Sequence, residues 1–224
     1  IGTGDSFKAL AFNTSAQQYS ANNDQLRSLD ADGFTLDDNS DASWYVNRSS
    51  DTYAAWCWRV NGGTTSTNND GTISSTVQVN NTVGMSMVLY TAPSGTFYFG
   101  HGLSQAPEFF MLKKLGGTGN WIGYHTARPS SVPNTTGVYI NSPSNFASGS
   151  NWIQEVSATR IGITTGQVTG TGEYLLYAWH SVDGYCKVGQ YEGTGSPTSN
   201  AFIYTGFLPN IVWIKKLKVV LLAG

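Results

Sequence analysis

Ala106-Pro107-Glu108-Phe109-Phe110-Met111-Leu112-Lys113-Lys114-Leu115 recurs 102 residues later as Leu208-Pro209-Asn210-Ile211-Val212-Trp213-Ile214-Lys215-Lys216-Leu217. Proline, four apolar residues and a lysine pair keep their offsets in both copies. Proline is tolerated where a strand opens, and a short apolar run after it reads as a strand. Each copy follows a run that begins on glycine, Gly84-Met85-Ser86-Met87-Val88-Leu89-Tyr90 and Gly184-Tyr185-Cys186-Lys187-Val188-Gly189-Gln190-Tyr191. Repetition at long period marks a duplicated structural unit.

A second match has a different offset. Tyr53-Ala54-Ala55-Trp56-Cys57-Trp58 resembles Tyr174-Leu175-Leu176-Tyr177-Ala178-Trp179, 121 residues on. The middle of the chain therefore holds one complete unit. Residues before 62 resemble its second half, and residues after 184 its first half. A half-sandwich leaves an apolar face and unpaired strand edges in water. The expected fold is all-β, with two jelly-roll-like β-sandwich lobes related by the internal repeat. Residues 63–183 form the continuous lobe, opening on a polar linker over 63–71. Residues 1–62 and 184–224 pack together as a discontinuous lobe. Alternatively, a neighbouring subunit or sequence outside this segment supplies the missing halves.

The punctuation agrees with all-β. Strands are expected at Tyr53–Val60, Thr72–Val79, Met85–Thr91, Thr96–Phe99, Glu108–Lys113, Asn120–His125, Gly137–Asn141, Trp152–Val156, Arg160–Thr164, Glu173–His180, Tyr185–Tyr191, Ala201–Tyr204 and Asn210–Lys215. Asn69-Asp70-Gly71 and Val182-Asp183-Gly184 read as tight turns, since glycine accepts positive φ. Ala16–Leu29 has poor apolar spacing for a helix. The lysine pairs read as charges that blunt strand ends and edges.

The 224 residues carry 12 Lys+Arg and 14 Asp+Glu, a net charge of -2. That balance lacks the basic surplus of a nucleic-acid footprint. Charged residues are 12% of the chain, about half the usual share, while aromatics are 13%, too many for a disordered acidic chain. No apolar run approaches a membrane span. The chain opens on Ile1, not Met, which reads as a processed product or a segment of something longer.

Chemistry-bearing constellations are sparse. His101, His125 and His180 lack the short spacings of a zinc site. No Gly-x-Ser-x-Gly elbow follows a strand and opens a helix. Asp37, Asn39 and Asp41 place oxygens at alternate positions and are the one candidate metal site. Ala42 and Arg48 stand where an EF-hand needs Gly and Glu, so that motif fails. Cys57 and Cys186 fall in the same expected lobe, either as a disulfide or as two thiols. Trp44, Tyr45, Trp121, Tyr124 and Trp152 lie near loops. Aromatic faces beside Asn and Asp oxygens suit a pyranose, so these five are the candidate carbohydrate-binding residues.

Asp32-Gly33-Phe34-Thr35-Leu36, Tyr53-Ala54-Ala55-Trp56-Cys57-Trp58, Gly100-His101-Gly102-Leu103-Ser104-Gln105-Ala106-Pro107, Gly184-Tyr185-Cys186-Lys187-Val188-Gly189 and Tyr204-Thr205-Gly206-Phe207-Leu208-Pro209 together carry a family resemblance. They resemble a repeated β-rich domain of uncharacterised function in virion structural and tail-fibre-associated proteins of marine and cyanobacterial tailed bacteriophages. The resemblance implies a virion structural protein on the particle surface, in a tail fibre or tail-associated host-recognition module, with neither catalysis nor cofactor. Its implied partners are other virion proteins, further copies of the same chain and a host surface glycan, with no nucleic acid and no membrane insertion. A head decoration or cement protein is the alternative within that class. A secreted lectin-like carbohydrate-binding module is the alternative outside it.

Overall fold

Side chains that alternate along a strand can be buried on one face only if a second layer covers it. The chain meets that demand with two facing sheets. A computed structural model describes residues 8–20, 26–36, 46–126, 137–142, 152–166, 170–195, 198 and 201–216. Among them, fourteen strands form: β1 Lys8–Ala9, β2 Tyr19–Ser20, β3 Leu26–Leu29, β4 Phe34–Leu36, β5 Ser66–Asn68, β6 Ser75–Asn80, β7 Met85–Ala92, β8 Thr96–Gly100, β9 Phe109–Lys114, β10 Ile122–His125, β11 Val138–Tyr139, β12 Ile153–Val156, β13 Arg160–Thr164 and β14 Gly172–Trp179. A 3-10 turn, Asn61–Gly63, precedes β5.

The larger sheet has the order β11-β10-β9-β14-β7-β6-β5, and the smaller has the order β12-β13-β8. Every ladder in them is antiparallel. β14 lies at the centre, pairing with β7 from Gly172↔Ala92 to Trp179↔Met85, and with β9 from Tyr174↔Lys114 to Trp179↔Phe109. The chain crosses to the small sheet for β8, returns for β9 to β11, crosses again for β12 and β13, and closes on β14.

Between the sheets lies the core. Val88, Tyr90, Phe110, Leu112, Tyr174, Leu176 and Ala178 face Phe97, Phe99, Ile153, Ile161 and Ile163. Tyr90 stacks on Phe99 with ring centroids 4.0 Å apart. The protein is thus an all-β sandwich, and the strands expected between 72 and 180 form it with boundary shifts of a few residues. The two expected turns differ in how they are held. The 182–184 turn closes with Tyr185 N–H on the Val182 carbonyl at 3.0 Å, and Gly184 has φ 74°. Gly71 is held by crowding instead: a Cβ there would lie 2.1 Å from the Tyr98 carbonyl oxygen.

Four expected strands are not strands. Residues 53–60, 185–191, 201–204 and 210–215 carry no ladder, apart from the isolated bridge Val182↔Cys186. The physical reason is that extended backbone becomes a strand only beside a partner, and among the described residues no other strand lies alongside them. Most of their large apolar side chains stay partly in water, with Trp56 62% and Trp213 53% exposed, while Val60 is buried. Within 1–62 the strands among the described residues pair only as β1–β2 and β3–β4. The lysine reading also needs correction. β9 is an interior strand, and Lys113 is fully buried rather than blunting an edge.

Candidate interaction face

The central strands are apolar on both sides. Leu176 and Ala178 point into the sandwich, so Leu175, Tyr177 and Trp179 point out of it, as do Phe109 and Met111 on β9 and Met85 and Met87 on β7. At the centre of the outer face these side chains form an apolar cluster. Trp179 stacks on Phe109 at 5.4 Å and on Tyr177 at 6.2 Å, and Tyr177 stacks on Trp121 at 6.3 Å.

Two segments from distant parts of the chain lie on that surface. Phe12 packs against Trp121 at 4.8 Å and against Trp213 at 5.3 Å. Trp213 also meets Phe109 edge-on at 5.6 Å. The N-terminal segment is tied down by polar bonds. Trp121 Nε1 donates to the Ala11 carbonyl at 3.1 Å, and Gln18 N–H to the Leu115 carbonyl at 3.1 Å. Lys113 Nζ donates to the Gly119 carbonyl at 2.8 Å and to the Ser15 carbonyl at 3.3 Å. Desolvation pulls the Lys113 pKa below its ordinary value, and the two carbonyls give the buried amine polar partners. Lys215, the repeat counterpart, donates to the Ser142 carbonyl.

Lys113→Met keeps the apolar stem and removes both bonds. Amide exchange of residues 16–20 should quicken by one to two orders of magnitude, corresponding to about 1–3 kcal/mol for hydrogen bonds from a charged group. Exchange in β14 should be unchanged; unchanged exchange at 16–20 would remove the anchoring role.

The expected carbohydrate residues fare differently. Trp121, Tyr124 and Trp152 are buried, at 2%, 8% and 3% exposure. Tyr124 stacks on Phe110 within the core, and Trp152 packs so closely over Gly137 that a Cβ there would lie 2.1 Å from its ring. These rings are core and layer contacts, so they present no face to a sugar. Trp44 and Tyr45 lie outside the described residues, as do Asp37, Asn39 and Asp41. Among the described residues, no group of three or more His, Cys, Asp or Glu side chains is placed to hold a metal ion. Also among these, no helix is long and apolar enough to cross a membrane.

His101 is a structural post. It is fully buried, its Nδ1 accepts from Leu103 N–H at 3.1 Å, and its Nε2 lies 3.1 Å from the Ser157 carbonyl. That pairing places the ring proton on Nε2. Burial holds its pKa below the ordinary 6.5, against the opposing pull of the Ser157 carbonyl. Cys57 and Cys186 are free thiols, Cys57 exposed and Cys186 half-buried. Burial, with help from Glu108, pushes the Cys186 thiol pKa up.

Sequence reasoning overlooked Phe12, Phe109 and Tyr177 as a surface. The signal was present in Tyr174–Trp179, which is apolar at every position rather than at alternate ones. Such a run belongs to a strand covered on both faces.

The class these features define is an antiparallel β-sandwich with a second apolar face outside its main sheet. Within that class, the chain belongs to the family described as Domain of unknown function (DUF7483), whose model matches residues 5–221. No curated protein and no solved structure matches it significantly.

Proposed function

We propose that this protein is a structural module of a bacteriophage virion, exposed on the particle in a tail fibre or tail-associated host-recognition part, and that it works by assembly without catalysis. The observation that carries the assembly reading is the exposure of the apolar segments 53–58 and 202–214, with Trp56 at 62%, Tyr204 at 78% and Leu208 at 88%. A two-sheet sandwich needs one covered face per sheet. Here the chain itself covers much of a second apolar face, and the aromatic segments left exposed beside it are a surface for other protein. The phage setting is supported by the motif resemblance, together with a surface rich in Ser, Thr, Asn and Gly.

Mass spectrometry of purified particles, with antibody labelling of the 66–180 unit in electron micrographs, tests the reading. The expected result is the chain in the particle and label on the tail. Label on the head instead would replace the tail assignment by the head decoration one. Absence from particles would overturn the virion reading.

A further inference from the structure

The exposed segments match strands of the complete sandwich in sequence, and two of their turn glycines match in φ. Gly184 and Gly195 have φ values of 74° and 64°; Gly84 and Gly95, each 100 residues earlier, have 68° and 86°. Positive φ at these two positions gives the 184–195 stretch two turn glycines at the spacing they have in 84–95. What the described residues show no sign of is a strand between 185–191 and 210–215. In the complete unit that strand is β14, and its counterpart is Tyr53–Trp58.

We propose that Tyr53–Trp58 of one copy inserts between residues 185–191 and 210–215 of a second copy, in the register of β14, so that the missing sheet is completed by association. Carried over from the observed ladders, Ala178↔Ser86 becomes Cys57 opposite Cys186, and Tyr177↔Met111 becomes Trp56 opposite Trp213. Both Ala178 and Ser86 are fully buried and point into the sandwich. The two cysteines therefore meet on the inner side of the new sheet. Trp56, Trp58 and Trp213 fall on its outer side, matching Tyr177, Trp179 and Met111.

A second copy is the occupant for two reasons. It carries both complementary halves. Within one chain, moreover, the halves are anchored apart. The Arg59 carbonyl accepts from Asn80 Nδ2 on β6, while Trp213 lies on Phe109 of β9. Asn80, Met85, Trp179 and Phe109 are successive register partners across β6, β7, β14 and β9. The anchors are thus three strand spacings apart, about 14 Å, where pairing needs one.

The inference rests on the assembly reading but not on the phage setting, and the test separates them. Opposed residues on antiparallel strands have Cα atoms about 4.5–5.5 Å apart, within reach of dibromobimane, a short reagent that bridges two thiols. The full chain should yield covalent dimers or larger species. Cys57→Ser alone and Cys186→Ser alone should yield none, and a mixture of the two variants should yield dimers only. A bridge confined to single chains, with no dimer in the mixture, would assign the pairing to one chain and overturn the second-copy proposal. No bridge at all would overturn the register. As an independent reading, Ala55→Pro removes a ladder N–H at the centre of the inserted strand. It should weaken self-association at least tenfold in sedimentation velocity, with the melting of the 66–180 unit unchanged. Unaltered association would overturn the proposal, whatever the particle proteomics finds.

Discussion

Phe99→Ala should lower the unfolding free energy by about 3–5 kcal/mol. Phe99 is fully buried on β8, stacked on Tyr90 at 4.0 Å and 6.0 Å from Phe97, and its backbone pairs with Ile161. It joins the small sheet to the large one. Removing the ring loses its transfer free energy and leaves a cavity that Tyr90 cannot fill, because Tyr90 is itself held against Tyr174 at 5.6 Å. Urea unfolding followed by fluorescence checks this, with the midpoint falling and the slope unchanged. Phe202, 87% exposed, supplies the control. Phe202→Ala should shift stability by less than about 0.5 kcal/mol. A loss under about 1.5 kcal/mol for Phe99→Ala would mean that the two sheets are not locked by this contact.

His101→Ala should cost about 2–5 kcal/mol, because it orphans the Leu103 N–H and the Ser157 carbonyl at once. The same residue predicts a pH effect whose sign is fixed by its lowered pKa. Well above pH 6.5 the imidazole is neutral in folded and unfolded chains alike. As pH falls through 6.5 the unfolded chain takes up the proton first, so stability drops. The drop continues until pH passes the folded pKa and then levels off. Unfolding curves from about pH 7.5 to about 4.5 check this: the slope just below 6.5 should shrink in His101→Ala. An identical slope in the variant would assign the effect to another group.

Much of the fold is legible in the order of residues. Nine of the expected strands, from Thr72–Val79 to Glu173–His180, form because their apolar runs are bounded by Gly, Asn and Pro and because partner strands lie within the same unit. The 53–60 and 210–215 segments have equally good strand patterns, yet they stay unpaired in the single chain. A strand is a relation between two segments, and local sequence specifies only one side of it. The β3–β4 hairpin escapes a sequence reading because Arg27 and Ser28 interrupt its apolar pattern.

The candidate site is less legible. Trp121, Tyr124 and Trp152 look like a binding surface because they stand near loops. They are buried because Phe12 and Ala11 cover Trp121, Phe110 lies against Tyr124, and Gly137 makes room for Trp152.

What the amino-acid order settled by itself was the all-β class and the turns at glycine, since these depend on φ preferences and on side-chain period along the chain. What only the tertiary structure decided was which faces are covered. Lys113 looks like a strand-end charge until the backbone at Ser15 and Gly119 closes over it, and Phe109 looks like core until its register with Trp179 turns it outward. Period tells which residues share a face; burial depends on what packs over that face, and the covering residues lie about a hundred positions away, as Phe12 does from Trp121.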